Sequence, residues 1–201
     1  MIGPVHTPNL QSGPVGLRSI RTRDAPEWRA LRTRNRDWLV EWDATSPAGA
    51  RDVAPTFSAM VRSLRAEARA GRTLPWVVTY NGRLVGQMTV GGIAYGSLRS
   101  AHVGYWMDEN HAGRGIVPTA VALGADYCFF TLGLHRLEIN LRPENIASRR
   151  VVEKLGFRYE GIRENFLHIN GQWRDHLAFA VTAEDAPKGV LARLQQSSAT
   201  Q

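Results

Sequence analysis

The stretch Gly104-Tyr-Trp-Met-Asp-Glu-Asn-His-Ala-Gly113-Arg-Gly115-Ile-Val-Pro118-Thr passes from a short apolar run, through a glycine-bearing bend, into a helical pattern. It reads as strand, loop and helix. The loop Asn110-His-Ala-Gly113-Arg-Gly115 puts two positions without side chains where the helix begins, so backbone N–H groups can face outward and a large anion can approach closely. Such a junction suits a diphosphate. Pro118 falls in the first helical turn, where its missing N–H costs nothing, and Ala120, Val121, Leu123, Gly124, Tyr127 and Cys128 continue at helical spacing from a start near Ile116. A Gly-x-Gly at such a junction also serves where only a tight turn is needed, so the meaning of the loop rests on its surroundings.

Upstream, Asn81-Gly82 separates two β-rich runs, Leu74 to Tyr80 and Arg83 to Ile93, and is a strong hairpin signal. A further strand, Ala101 to Met107, leads into the loop. Farther back, Val15 to Ile20 reads as a first strand, and Asp24-x-x-Glu27 with Pro26 as a capping-box-like start to a helix running to about Arg36. The aromatic segment Asn35 to Asp43 passes into a loop with Pro47 and Gly49. A second helix, from about Val53 to Ala70, carries Phe57, Met60, Val61 and Leu64 on one face and ends at Gly71. Residues 1–14 hold Gly3-Pro4, Pro8 and Gly13-Pro14 without apolar periodicity and read as a flexible leader.

Downstream, the helix after the loop ends at Gly133, and His135 to Leu141 gives a strand. Asn145 to Gly156 reads as a short capped helix, and Arg158 to Ile169 and Gln172 to Thr182 as a closing hairpin across Asn170-Gly171. A short helix from about Glu184 to Leu194 and a polar tail to Gln201 follow. Meandering strands with helices at intervals predict an α/β fold of the α+β kind: a mixed, mainly antiparallel sheet flanked by helices. The expected division is one domain over 15–185, with a short helix and polar tail over 186–201.

The 201 residues suffice for one well-buried domain, and 43% hydrophobic with 21% charged residues is ordinary for a globular protein. No apolar run is long enough for a membrane span, and the N-terminus lacks a signal-peptide layout, so a cytoplasmic location and no membrane partner are expected. Cys128 is the sole cysteine, which excludes an internal disulfide and a cysteine metal cluster. The histidines at 102, 111, 135, 168 and 176 show no metal-ligand spacing, so no metal is expected. The net charge of +7 lies entirely in residues 1–100, with 14 arginines against seven acids. That half could steer an anionic ligand or touch RNA, for example on a ribosome, but with no aromatic-interleaved nucleic-acid motif beside them its helical arginines read more simply as solvated faces.

At this point the chain resembles the GNAT acetyltransferase superfamily, and within it the RimJ/RimL group of ribosomal-protein N-terminal acetyltransferases. The resemblance spans about Val15 to Asp185 and rests on separate pieces in one order. They are Asn35-Arg-Asp-Trp38-Leu39 with Trp42; Gly104-Tyr105-Trp106; Gly113-Arg-Gly115-Ile116; Arg142-Pro143-x-Asn145-x-x-Ser148; Leu155-Gly156-Phe157-x-x-Glu160-Gly161; and Ile169-Asn-Gly171-Gln-Trp173-Arg-Asp175-His176. The last is most similar to the alanine-directed, RimJ-type members. The chain departs from the family in having Asn110 where Gln or Arg is usual. That shortens a side chain and leaves the backbone donors in place.

The resemblance implies acetyl-CoA as co-substrate and acetyl transfer to a protein N-terminal α-amine, directly through a tetrahedral intermediate, with a ribosomal protein beginning with alanine as acceptor. A small amine such as a polyamine, amino acid or aminoglycoside is the other acceptor class, and a non-catalytic CoA- or RNA-binding regulator a third reading. Monomer and homodimer stay open. The cofactor grip falls to Gly113, Arg114, Gly115 and Ile116, with the strand end at Trp106, Met107 and Asp108 expected to pair its backbone with the pantetheine arm. Asn145 can cap the following helix, touch the cofactor, or do both. Ser148 could be a plain helix serine; the resemblance implies a place near the thioester sulfur and the role of general acid. An α-amine with a pKa near 8 is roughly a quarter neutral at pH 7.5, whereas a lysine is about a thousandth neutral, so an α-amine needs little help from a base. Asp43, Asp108, Glu109 and Asp175 are candidate relays, but the readier role of each is a helix-terminus charge, a turn former or a salt-bridge partner, and no base is singled out. Trp38 and Trp42 are either core or walls of the acceptor entrance, and Asp175 on the closing hairpin is the remaining substrate-side candidate.

Overall fold

A computed structural model describes residues 7–47, 54 and 56–199. Eight strands form one sheet: β1 (Leu10–Ser12), β2 (Val15–Ser19), β3 (Leu74–Tyr80), β4 (Arg83–Ala94), β5 (Ser100–Met107), β6 (Arg136–Leu141), β7 (Arg158–Ile169) and β8 (Gln172–Thr182). Their spatial order is β1-β2-β3-β4-β5-β6-β8-β7. Every pairing is antiparallel except β5 with β6. The helices are α1 (Ala25–Arg34), α2 (Arg36–Leu39), α3 (Phe57–Arg69), α4 (Ile116–Asp126), α5 (Ile146–Lys154) and α6 (Val190–Ala199). This is the mixed, mainly antiparallel sheet with flanking helices that the sequence leads one to expect.

Two cores occupy opposite faces of the sheet. The larger gathers Trp76, Met88, Val103, Leu137 and Ile139 under Ile116, Ala120 and Leu123 of α4, with Val152 and Leu155 of α5 and Val190 of α6. The smaller joins Ile20, Leu31, Phe57, Val61, Val77 and Leu84, and so seats α1 and α3 on the other face. Buried residues lie all round α4, as its nearly uninterrupted apolar sequence requires. No helix among the described residues is long and apolar enough to cross a membrane.

Several boundaries differ from the sequence reading, each for a local reason. Three residues of the stretch read as leader form β1, because Leu10–Ser12 pair with Val15–Leu17 across Gly13, which adopts φ +53°. Helix α1 stops at Asn35, and the aromatic segment beyond it is itself helical over Arg36–Leu39. The capping box does not form: the Asp24 carboxylate turns back to the Arg21 N–H and Arg18 guanidinium, and Glu27 accepts the N–H of Leu84. The expected start of the next helix at Val53 lies outside the described residues. After Asp126 the helical path widens into a π-turn over Tyr127–Thr131. The terminal helix lies later than expected: residues through Gly189 form turns, and the segment read as a polar tail continues α6 to Ala199.

Candidate active site

The loop between β5 and α4 is built as its glycines require. Gly113 and Gly115 sit at φ +76° and +72°, in the left-handed region where a side chain is strained. A Cβ added to either would meet nothing within 4 Å, so the backbone faces open space. Gly115 is the N-cap residue of α4, and its carbonyl accepts both the N–H and the hydroxyl of Thr119. Among the described residues no protein acceptor takes the N–H groups of Gly113, Arg114, Gly115 or Ile116. These donors stand at the positive end of a helix, beside the open space around Gly113 and Gly115, as an anion seat demands. The exposed Arg114 guanidinium bonds to the Asn110 carbonyl. A groove of about 260 Å³ brings Lys154, at the far end of α5, to Gly115 and Thr119.

The strand leading to this loop parts from its neighbour. β5 and β6 pair only at Ser100–Arg136, Ala101–Leu137 and His102–Glu138. Beyond those three pairs, residues 103–107 keep their partners on β4, and Ile139 to Leu141 keep theirs on β8. The facing edges therefore diverge, leaving main-chain groups on either side of a wedge. A bulge at Val85 fixes the geometry behind it: Val78 pairs with Gly86 and Thr79 with Leu84. The freed Val85 carbonyl accepts the N–H of Asp108 at 2.8 Å and so ends β5 at that level. Gly86 is needed there, because a Cβ would stand 2.4 Å from the Trp106 carbonyl oxygen.

Side-chain alternation gives the wedge two different sides. On the α5 side, Tyr105 reaches Ser148 with 2.6 Å between hydroxyl oxygens. Ser148 is held in the first turn of α5, where its N–H donates to the Asn145 side chain at 2.9 Å. Asn145 is therefore the cap of α5. Burial pushes the Tyr105 phenol up to about 12, against the opposing effect of its bond with Ser148. Tyr105 is the residue the sequence reading passed over, naming it only as part of the Gly104-Tyr105-Trp106 motif. Counting alternate positions back from Met107 would have set it on the helix side.

On the opposite side, Trp106 packs edge-on to Trp28, with Arg32 over both rings. Trp28 donates to Gln87, the cross-strand neighbour of Trp106. Trp42 lies under Arg142, which also donates to the Glu41 carbonyl. Asp43, Ala44 and Thr45 then join the β7–β8 tip: Ala44 bridges Ile169, Thr45 N–H donates to the His168 carbonyl, and Asn170 N–H to that of Asp43. Segment 41–45 thus wraps from the end of β6 to the tip of the closing hairpin. Trp38 is 37% exposed on α2. His176 is buried between these walls with Nδ1 3.0 Å from the Arg174 carbonyl, and burial lowers its pKa.

Three carboxylates on the candidate roster are occupied elsewhere. Asp108 has no exposed surface: Arg34, Asn35 and His111 surround its carboxylate at 2.8–2.9 Å. Its N–H goes to Val85 and its carbonyl accepts from His111. Neither a pantetheine contact nor a base role is left to it, and it instead locks the loop onto α1. Asp175 accepts the N–H of Asn165 at 2.8 Å and holds the β7 bulge. Asp43 is paired with Arg32. Met107 packs against the larger core, and buried Ile116 offers the site its N–H. Among the described residues no three His, Cys, Asp or Glu side chains gather as they would around a metal.

Free N–H groups beside a cleft lined by unpaired strand edges match a ligand with a diphosphate at one end and an amide-bearing arm at the other. Comparison with known proteins agrees. Residues 15–158 match the model of the acetyltransferase (GNAT) domain. The structure of Mycobacterium smegmatis RimJ in complex with CoA-disulfide superimposes with a TM-score of 0.90 and 39% identity, over 98% of each chain. YjcK of Bacillus subtilis (strain 168) is 33% identical over 180 residues, covering 88% of this chain and 98% of the relative. The [ribosomal protein uS5]-alanine N-acetyltransferase of Escherichia coli (strain K12) is 31% identical over 106 residues, 53% of this chain and 55% of that protein.

Proposed function

The chain belongs to the GNAT acetyltransferase family, and from that premise we propose that this acetyl-CoA-dependent N-acetyltransferase acylates the N-terminal α-amine of a ribosomal protein that begins with alanine. The observation that carries this reading is the wedge between β5 and β6, with Tyr105 and Ser148 on one side and, on the other, an open wall of Trp106, Trp42 and the hairpin tip. The likeness to the E. coli [ribosomal protein uS5]-alanine N-acetyltransferase over about half of each chain supports this class of acceptor. The catalytic unit is residues 15–185.

In this mechanism the four N–H groups of residues 113–116 bind the diphosphate, with Arg114 and Lys154 as nearby cations. The open edge of β5 at Tyr105 and Met107 binds the pantetheine arm as an added strand, whereas the main-chain groups of Trp106 are turned to β4. Acetyl-CoA supplies a thioester carbonyl open to attack. An amine nitrogen forms the new C–N bond, the C–S bond breaks, the amine gives up one proton, and the departing sulfur takes one. The Ser148 hydroxyl supplies that last proton and is refilled from Tyr105, whose phenol, neutral at rest across the working pH range, takes a proton back from solvent before the next turnover. The amine's proton passes to solvent, since an α-amine is already partly neutral near pH 7.5. Exposed Arg62, Arg65 and Arg69 on α3 offer a cationic face to ribosomal RNA.

The test is release of free CoA thiol with peptides beginning Ala, Ser, Thr and Asp, set against a blocked peptide carrying one lysine and against spermidine. Turnover confined to free α-amines, fastest with alanine, supports the proposal. Faster turnover of spermidine replaces it with a small-amine acceptor.

A further inference from the structure

Buried side-chain polar atoms without a partner are rare in a folded chain, because each loses its hydration without return. Among the described residues they are Tyr95 Oη, Asn140 Oδ1 and Arg174 Nε. The last two lie on adjacent strands and share a face. Asn140 pairs across β6 with Ala178, and Ala178, His176 and Arg174 are alternate residues of β8, whose register irregularities fall on β7. The parallel pair His102–Glu138 puts Gly104 and Trp106 on that face as well. It is the face opposite the Tyr105–Ser148 pair.

Asn140 stands on the part of β6 that has left β5, beside the wedge, and its amide oxygen is buried there without a partner. Arg174 stands farther along β8 toward the hairpin tip, close enough for its charge to lower the pKa of Glu144 behind the Glu144 backbone bond and Arg142. Four residues of strand separate the Asn140 level from Arg174, a span of about 13 Å. That is the length of roughly four residues of extended peptide. An unused acceptor stands near the wedge and an unused donor stands at the far end. A polypeptide entering with its amine first has the complementary order, N–H at the leading end and carbonyls behind.

We propose that Asn140 and Arg174 position the acceptor: Asn140 Oδ1 accepts from the leading amine or first amide N–H, and Arg174 Nε donates to a main-chain carbonyl three or four residues on. This deepens, and rests on, the reading of the acceptor as a protein N-terminus. Both contacts are to main chain, so discrimination among side chains is confined to the first residue. A small amine fills only the Asn140 end.

The test is a length series, alaninamide, then Ala-initiated peptides of two, four and six residues with amidated ends, assayed with wild type, Asn140→Ser and Arg174→Lys. In wild type, kcat/KM rises about tenfold between two and four residues and then levels, the worth of one charge-assisted hydrogen bond. Arg174→Lys keeps the charge and loses the Nε donor. It raises KM for the tetrapeptide and abolishes the length effect while leaving the dipeptide and the KM for acetyl-CoA unchanged. Asn140→Ser raises KM for every acceptor. A flat length series in wild type, which needs no variant to fold, overturns the pairing even if α-amines remain the substrates. So does an Arg174→Lys loss that is equal for two and four residues. Turnover of small amines with none of peptides removes the acceptor reading itself.

Discussion

The hydroxyl oxygens of Tyr105 and Ser148 stand 2.6 Å apart, joining the separated end of β5 to the first turn of α5. In the proposed mechanism a proton leaving Ser148 is replaced from Tyr105, so the two act as a single donor. Ser148→Ala and Tyr105→Phe should each lower kcat about 10²-fold, with the KM for acetyl-CoA little changed. The double variant should fall no further than the worse single one. Multiplicative losses in that double-mutant cycle would mean two independent roles.

The pH profile carries a second expectation. Burial holds the Tyr105 phenol near 12, so its neutral, proton-bearing form persists throughout the working range. The profile of kcat should therefore rise as the acceptor amine deprotonates and show no descending limb up to about pH 10. A fall between pH 8 and 10 that Tyr105→Phe abolishes would overturn this assignment.

Asp108 is a matter of stability rather than chemistry. Burial alone would raise its pKa, but hydrogen bonds from Asn35, Arg34 and His111 outweigh it and hold the carboxyl below its ordinary value. A folded-state value below the unfolded one stabilises above the unfolded pKa and loses that contribution as pH falls through the folded value. Asp108→Asn should cost about 3 kcal/mol in urea unfolding at pH 7. The gap to wild type should narrow only below about pH 4. An equal gap at pH 7 and pH 3 would show that packing, not charge, is lost.

At the anion loop, Gly115→Ala forces a side chain onto a backbone at φ +72° and places its methyl in the open mouth of the loop. The KM for acetyl-CoA should rise at least about tenfold, a cost of about 1–2 kcal/mol in strain and displaced donors. Lys154→Ala should raise the same constant by about threefold through charge alone. Calorimetric titration with CoA reads both directly, and an unchanged Kd in Gly115→Ala would place the diphosphate elsewhere.

Cys128 is fully buried, and burial pushes its thiol up to about 12. The folded protein should resist iodoacetamide at pH 8 and react within minutes once denatured. Labelling of the native state at the unfolded rate would show that the π-turn around Cys128 opens readily.

Much of this was legible before any coordinates, and unevenly so. The Asn81-Gly82 and Asn170-Gly171 turns fixed two hairpins, because a left-handed turn demands those residues, and Asn81, Gly82, Asn170 and Gly171 all adopt positive φ. Gly113, Gly115 and the apolar α4 were likewise written locally. What sequence could not supply was the partner across the fold. The acid of Asp108 looked free beside the loop until Asn35, 73 residues earlier, closed over it. Tyr105 lacked meaning until α5 arrived to set Ser148 against it. The short β1 was missed because three residues between prolines carry no periodicity and gain strand character only from β2.

Joined by three parallel pairs, the two halves of the sheet have a short seam at the place proposed for the cofactor arm. The amides of Tyr105 and Met107, which alternation turns away from β4 toward the seam, should exchange with deuterium long before those of β3 or β8. When the arm lies there the sheet gains a ninth strand that is not polypeptide. The enzyme should then melt higher and breathe less, its rigidity borrowed for one turnover and returned when the thiol departs.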